Sequence, residues 1–158
     1  MKSTEELAVV VDTSGSMAEG AKLFIARGLV IKISQHSTLG YSMLRPRLYS
    51  WSNELKPNPW NPGEDYPELL MVAEGSASAP ALVSHFQNSK ENILLITDGY
   101  LECQDLSTFK EWEKTREENS IRIIQLSEGS ERNKYWSPTH HADDLIPMLH
   151  SWCPGQRT

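Results

Sequence analysis

Leu7-Ala8-Val9-Val10-Val11-Asp12-Thr13-Ser14-Gly15-Ser16 is the stretch on which the fold turns. A short apolar run, rich in valine, ends in an acid, and two serines follow at alternate positions around a glycine. The run is too brief for a buried helix and is β-branched, which predicts a strand covered on both faces. In open parallel α/β sheets, ligands bind beyond the carboxyl ends of the strands. Asp12 stands at that end. With Ser14 and Ser16 it brings three oxygen-bearing side chains to one turn, the outline of a site for a hard cation.

The same pattern returns at Asn92-Ile93-Leu94-Leu95-Ile96-Thr97-Asp98-Gly99, a continuous apolar run closed by an acid and a turn residue. Two buried parallel strands of this kind set two carboxylates along one edge of a sheet. Between them, apolar residues at helical spacing (Leu23, Ala26, Val30, Ile33) predict a first helix from Ala18 to Ser37. Phe24, Ile25, Leu29 and Ile31 widen its apolar face, so a mostly buried helix is expected, starting directly after the serine turn. Arg47 to Ser52 alternates as a strand nearer the sheet edge, and Glu54-Leu55-Lys56 reads as its antiparallel return. Pro57, Pro59, Pro62 and Pro67 mark a loop, with Trp60 in it expected to be exposed. Short helices are expected at Tyr66–Ala73 and Pro80–Ser89, a polar helix at Leu106–Asn119 with Phe109 and Trp112 inward, a strand at Ser120–Leu126, a loop at Glu128–Pro138 and a closing helix from Asp143 to Trp152. The order predicts an α/β fold: a doubly wound, mostly parallel central sheet with one short antiparallel edge strand and helices on both faces.

The bulk numbers agree with one domain over residues 1–158. The net charge of -6 leaves no basic excess for nucleic acid or an anionic membrane surface, so neither is an expected partner. The polar start and the absence of an apolar stretch near 18 residues predict a soluble, cytoplasmic protein. Cys103 and Cys153, far apart, read as free thiols.

On these residues the chain resembles a von Willebrand factor A (vWA) domain. Asp12-Thr13-Ser14-Gly15-Ser16 is similar to the DxSxS motif of the family's metal-ion-dependent adhesion site. Gly75-Ser76 resembles its Gly-Thr turn, with serine in place of threonine, and Thr97-Asp98-Gly99 resembles its later aspartate turn. Tyr135 to Leu149 is similar to the family's last strand-to-helix segment. The resemblance implies a Rossmann-like vWA fold and a metal site of Asp12, Ser14, Ser16, Ser76 and Asp98, with the serines bound directly and the aspartates acting partly through water. It implies Mg²⁺, with Mn²⁺ or Ca²⁺ as alternatives. The charge is consistent with this, since two carboxylates balance one divalent ion and three hydroxyls supply neutral oxygens. Ser78, two residues on, is a rival to Ser76.

The implied function is a non-enzymatic protein-binding module. The ion bridges to an Asp or Glu of a partner protein, as in intracellular adaptors of multiprotein complexes, often alongside AAA-type ATPases. Met17, Glu19, Tyr100, Leu101 and Glu102 are expected to rim the site. Two rivals stand beside this reading. A Mg²⁺-dependent phosphohydrolase lacks a Gly-rich phosphate loop, an Asp-x-Asp pair and a general base by the serines. The other is a structural subunit with a vestigial metal site; separately, Ser14 and Ser16 could merely cap the first helix. His150 and Cys153 are spaced for one helix face, but His140 and His141 lie in a loop with no fitting partner spacing, so all four read as surface or core residues and not as a zinc site.

Overall fold

A computed structural model describes residues 5–40, 44–99, 103–117, 120–126 and 142–152. Strand β1 (Glu5–Asp12) is central, flanked in parallel by β2 (Leu44–Trp51) and β4 (Asn92–Thr97). Outside them lie antiparallel β3 (Leu55–Asn58) and parallel β5 (Ile121–Gln125), giving the order β3-β2-β1-β4-β5. Leu7, Val9 and Val11 face one layer, formed by α1 (Lys22–Thr38) and α4 (Leu145–Ser151). Ala8 and Val10 face the other, formed by α2 (Ala79–Phe86) and α3 (Cys103–Lys114). That two-sided burial is why β1 carries no alternation. Because β2 and β4 lie on opposite sides of β1, the crevice between the carboxyl ends of β1 and β4 is the place where such sheets bind ligands.

Several boundaries differ from the sequence-based expectation. Helix α1 begins only at Lys22, because a 3₁₀ turn at Gly15–Ala18 and Gly20 at φ 60° intervene after the serines. Its apolar surplus is not buried: Phe24 is 66% exposed, and Ile25 and Ile31 also face solvent, since a helix lying on a sheet covers only one stripe. Strand β2 starts at Leu44, and β3 takes in Pro57 and Asn58. Proline is tolerated in β3 because it is an edge strand, and in β2 at Pro46 because β3 pairs only from Leu48 onward. Trp60 is 8% exposed, not exposed as expected. Its loop folds back against α1 so that the ring joins the α1-side core, and its indole N–H donates to the Glu64 carbonyl at 3.2 Å.

The expected helix at Tyr66–Ala73 is a single 3₁₀ turn, Glu68–Met71. Helix α2 stops at Phe86, α3 starts at Cys103 and stops at Lys114, and α4 follows a 3₁₀ turn at Ala142–Asp144. Phe109 and Trp112 are buried as expected, and Trp51 and Trp152 are buried as well. The expected loop at 128–138, the family-like stretch before residue 142, and Trp136, His140, His141 and Cys153 lie outside the described residues.

Candidate metal centre

Asp12, the last residue of β1, is 0% exposed. Its Oδ1 accepts the Ser14 amide at 2.8 Å and its Oδ2 accepts the Thr97 hydroxyl at 2.5 Å. Burial pushes its pKa up from 3.8 to about 6. The hydrogen bonds from Ser14 and Thr97 oppose that rise, and the charge of Asp98 adds to it. A buried carboxylate that remains raised after two hydrogen bonds is one whose charge the protein has not balanced.

The serines are not spent on caps. Ser14 precedes the 3₁₀ turn without a side-chain cap hydrogen bond, and α1 is preceded by Ala21, which has no capping side chain. The hydroxyls of Ser14 and Ser16 instead lie 3.4 Å apart, Ser14 buried and Ser16 half-buried. The capping explanation for these serines therefore fails on geometry.

The Gly75-Ser76 turn is stitched to this loop through the backbone. The Gly15 amide donates to the Gly75 carbonyl at 2.8 Å, and the Glu74 amide to the Thr13 carbonyl at 2.9 Å. Gly75 has φ 78°, and a Cβ there would meet the Asn53 amide group at 3.0 Å, so glycine suits the position on both counts. Asn53 Oδ1 accepts the Ser76 amide at 2.9 Å, leaving the exposed Ser76 side chain at the rim. Ser78 is differently employed. Its hydroxyl accepts the Ala81 amide at 3.3 Å, capping α2, and its carbonyl accepts the Trp51 indole N–H at 2.8 Å.

Asp98, buried at the end of β4, has its carbonyl held by Gln125 Nε2 at 3.4 Å. The turn is tight: Gly99 has φ 83°, and its amide donates to Thr97 Oγ1 at 3.0 Å. Thr97 thus links both acids, donating to Asp12 and accepting from the turn after Asp98. Lys22, the first residue of α1, sends its ammonium into the same crevice, 3.2 Å from Asp98 Oδ2 and 3.3 Å from the Ser16 carbonyl.

The structure therefore brings the Asp12-to-Ser16 loop, the Ser76 turn and Asp98 to one end of the sheet. All the donors are oxygens, the set that suits a hard divalent cation, and a fully buried, unbalanced carboxylate supplies the attraction. Among the described residues no three His, Cys, Asp or Glu side chains are grouped so as to hold a metal ion, so a site here rests on two carboxylates and neutral hydroxyls. His36 and His150 stack edge to face, centroids 5.0 Å apart, away from these acids on the α1–α4 side. Of the expected rim, Glu19 is exposed but Met17 is fully buried. Met17 joins the core because the 3₁₀ turn points it inward between β1 and α1. Tyr100, Leu101 and Glu102 lie outside the described residues.

Sequence reasoning missed Lys22, Asn53 and Gln125, and took Thr97 only as part of a motif. Lys22 had one available signal, a lysine in the first turn of a helix, where the dipole disfavours a cation. Asn53 and Gln125 had none, being held to the site only by tertiary contacts.

Solved structures of other proteins share this shape. The ArnB paralog VWA2 from Sulfolobus acidocaldarius superposes with TM-score 0.59 at 16% identity, over 94% of this chain and 44% of that one. Manganese-loaded TRAP protein from Plasmodium vivax gives 0.53 at 14% identity, over 93% and 72%. The chain has a von Willebrand factor A fold. Proximal thread matrix protein 1 of the mussel byssus shows the same likeness, with TM-score 0.54 and 14% identity over 94% of this chain and 46% of that protein. The vWA-like chain thus spans less than half the length of the mussel and Sulfolobus proteins. No protein-family model and no curated protein matches it by sequence. No helix among its described residues is long and apolar enough to cross a membrane.

Proposed function

We propose that this vWA-fold chain is a protein-interaction module that holds a divalent cation, Mg²⁺ in the cell, through Asp12, Ser14, Ser16, Ser76 and Asp98. The observation that carries the reading is Asp12: a fully buried carboxylate, its pKa raised to about 6, beside two serines whose hydroxyls cap no helix. When bound, the ion supplies Lewis acidity and an open position for an anionic oxygen. The chain's own residues do the rest. Thr97 and the Ser14 amide fix both oxygens of Asp12, and Gly75 and Asn53 fix the Ser76 turn. Gly99 and Gln125 fix the turn that carries Asp98.

The anionic oxygen comes from an Asp or Glu of a partner protein, and the module acts as a non-enzymatic, cytoplasmic adaptor, including beside AAA-type ATPases. The TRAP protein of similar fold is manganese-loaded, which supports a divalent cation as the proposed ligand. A second reading, a structural subunit with a vestigial site, is favoured by one observation, the Lys22 ammonium on Asp98.

Titration with Mg²⁺ or Mn²⁺ tests the proposal. Thermal stability of the wild type should rise with the ion by mass action, by about 2.7 kcal/mol at a hundred times Kd. Ser14→Ala should lose the response while keeping the fold. No rise at millimolar ion would favour the vestigial site. Partners captured from native extract with Mg²⁺ and lost with EDTA would be those bridged by the ion, and retention of every partner in EDTA would refute the bridging.

A further inference from the structure

Lys22 opens α1, where the helix dipole is least favourable to a cation, yet its side chain is only 20% exposed. Its ammonium reaches Asp98 Oδ2 at 3.2 Å and the Ser16 carbonyl at 3.3 Å. The Asp98 side chain is 3% exposed. Ser16 and Asp98 both belong to the candidate cation set, and the ammonium touches the Asp98 carboxylate itself and the backbone carbonyl of Ser16. Helix propensity does not explain the placement. The buried Asp98 carboxylate does, because a positive charge beside it offsets a negative charge that would otherwise be withdrawn from water unpaired.

We propose that Lys22 is a built-in competitor for the cation site: a tethered ammonium that neutralises Asp98 in the metal-free protein and must leave Asp98 before that oxygen is available to a divalent ion. The inference rests on the metal-binding reading above. It follows from charge and distance. A compact ammonium and a divalent ion on one carboxylate oxygen repel each other, and the four-carbon stem of lysine lets the ammonium swing away without moving the helix. The metal-free fold then stands without an ion, and metal affinity is reduced by the strength of the lysine–carboxylate pair. Exchange of a weakly held internal cation for a divalent one makes occupancy sensitive to ion concentration.

The test compares wild type with Lys22→Met and Lys22→Gln by calorimetric titration of Mn²⁺ and by thermal unfolding in EDTA. A charge-assisted hydrogen bond of this burial predicts binding roughly tenfold tighter, or more, in both variants. It also predicts a lower melting temperature in EDTA and a larger rise on adding Mn²⁺ than in wild type. Lys22→Gln retains a polar end, so it gives the answer if Lys22→Met does not fold. Mn²⁺ binding in wild type with equal or weaker binding in the variants would overturn the role of Lys22 and leave the metal site standing. Absence of Mn²⁺ binding in all three proteins would overturn the metal reading and this inference with it.

Discussion

Replacing Asp12 by asparagine should turn the pH dependence of folding into a direct reading of the buried charge. In metal-free protein the folded-state pKa of Asp12 is about 6, against 3.8 for an ordinary aspartate. The folded state therefore binds more protons than the unfolded chain between those values. Stability must fall as pH rises through that window and level off above about 6. The gap corresponds to roughly 3 kcal/mol, fully felt at pH 7.5 and absent below about pH 3.8. Asp12→Asn keeps the shape and the Ser14 amide's acceptor but carries no charge. Its amide can no longer accept from Thr97, which returns about 1 kcal/mol of the gain.

Urea unfolding in EDTA, run from pH 4 to 7.5 for both proteins, measures the difference. The wild type should lose about 3 kcal/mol relative to the variant across that range, and the variant should melt several degrees higher at pH 7.5. Divalent ion should reverse the order, stabilising only the wild type and releasing protons as it binds near pH 6. A difference between the two proteins that does not change with pH, or that grows in the wild type's favour toward pH 7.5 without metal, would refute the uncompensated carboxylate.

Ser78→Ala should cost about 1 kcal/mol through loss of the α2 cap while leaving Mn²⁺ affinity intact, and Ser76→Ala should do the reverse; denaturant midpoints and calorimetry separate them. Gly99→Ala forces a side chain into φ 83° with Gln125 Nε2 only 2.6 Å from the new Cβ, so a loss of roughly 1–3 kcal/mol is expected by chemical denaturation. Trp60→Ala should cost roughly 3–5 kcal/mol, whereas Phe24→Ser, on the open side of α1, should stay within about 0.5 kcal/mol; equal losses would mean that the proline-rich loop does not pack as described.

Much of the architecture was written into local patterns. Unbroken apolar runs at Leu7–Val11 and Ile93–Ile96 mark strands buried on both faces, because only a strand with helices above and below has no polar side. An acid following each run puts Asp12 and Asp98 at one edge of the sheet, because the two strands are parallel neighbours. Periodicity was less reliable where apolar residues exceeded the available core. Phe24, Ile25 and Ile31 look like core on hydrophobicity alone, and the width of one sheet face excludes them. Trp60 fails in the opposite sense: prolines mark its segment as a loop, and nothing local shows that the loop closes over α1.

Residue order and type thus determined the α/β class, the strand ends and the identity of the oxygen-bearing residues, since these depend on short-range hydrophobic pattern and motif spacing. Tertiary structure decided which of those oxygens are committed elsewhere and which charges meet. Ser78 is claimed by a helix end, Thr97 ties two strand ends together, and Lys22 crosses from α1 to Asp98, distant in sequence. The reason is that capping and charge pairing depend on distances of about 3 Å between groups. Chain folding sets those distances, and no local pattern encodes them.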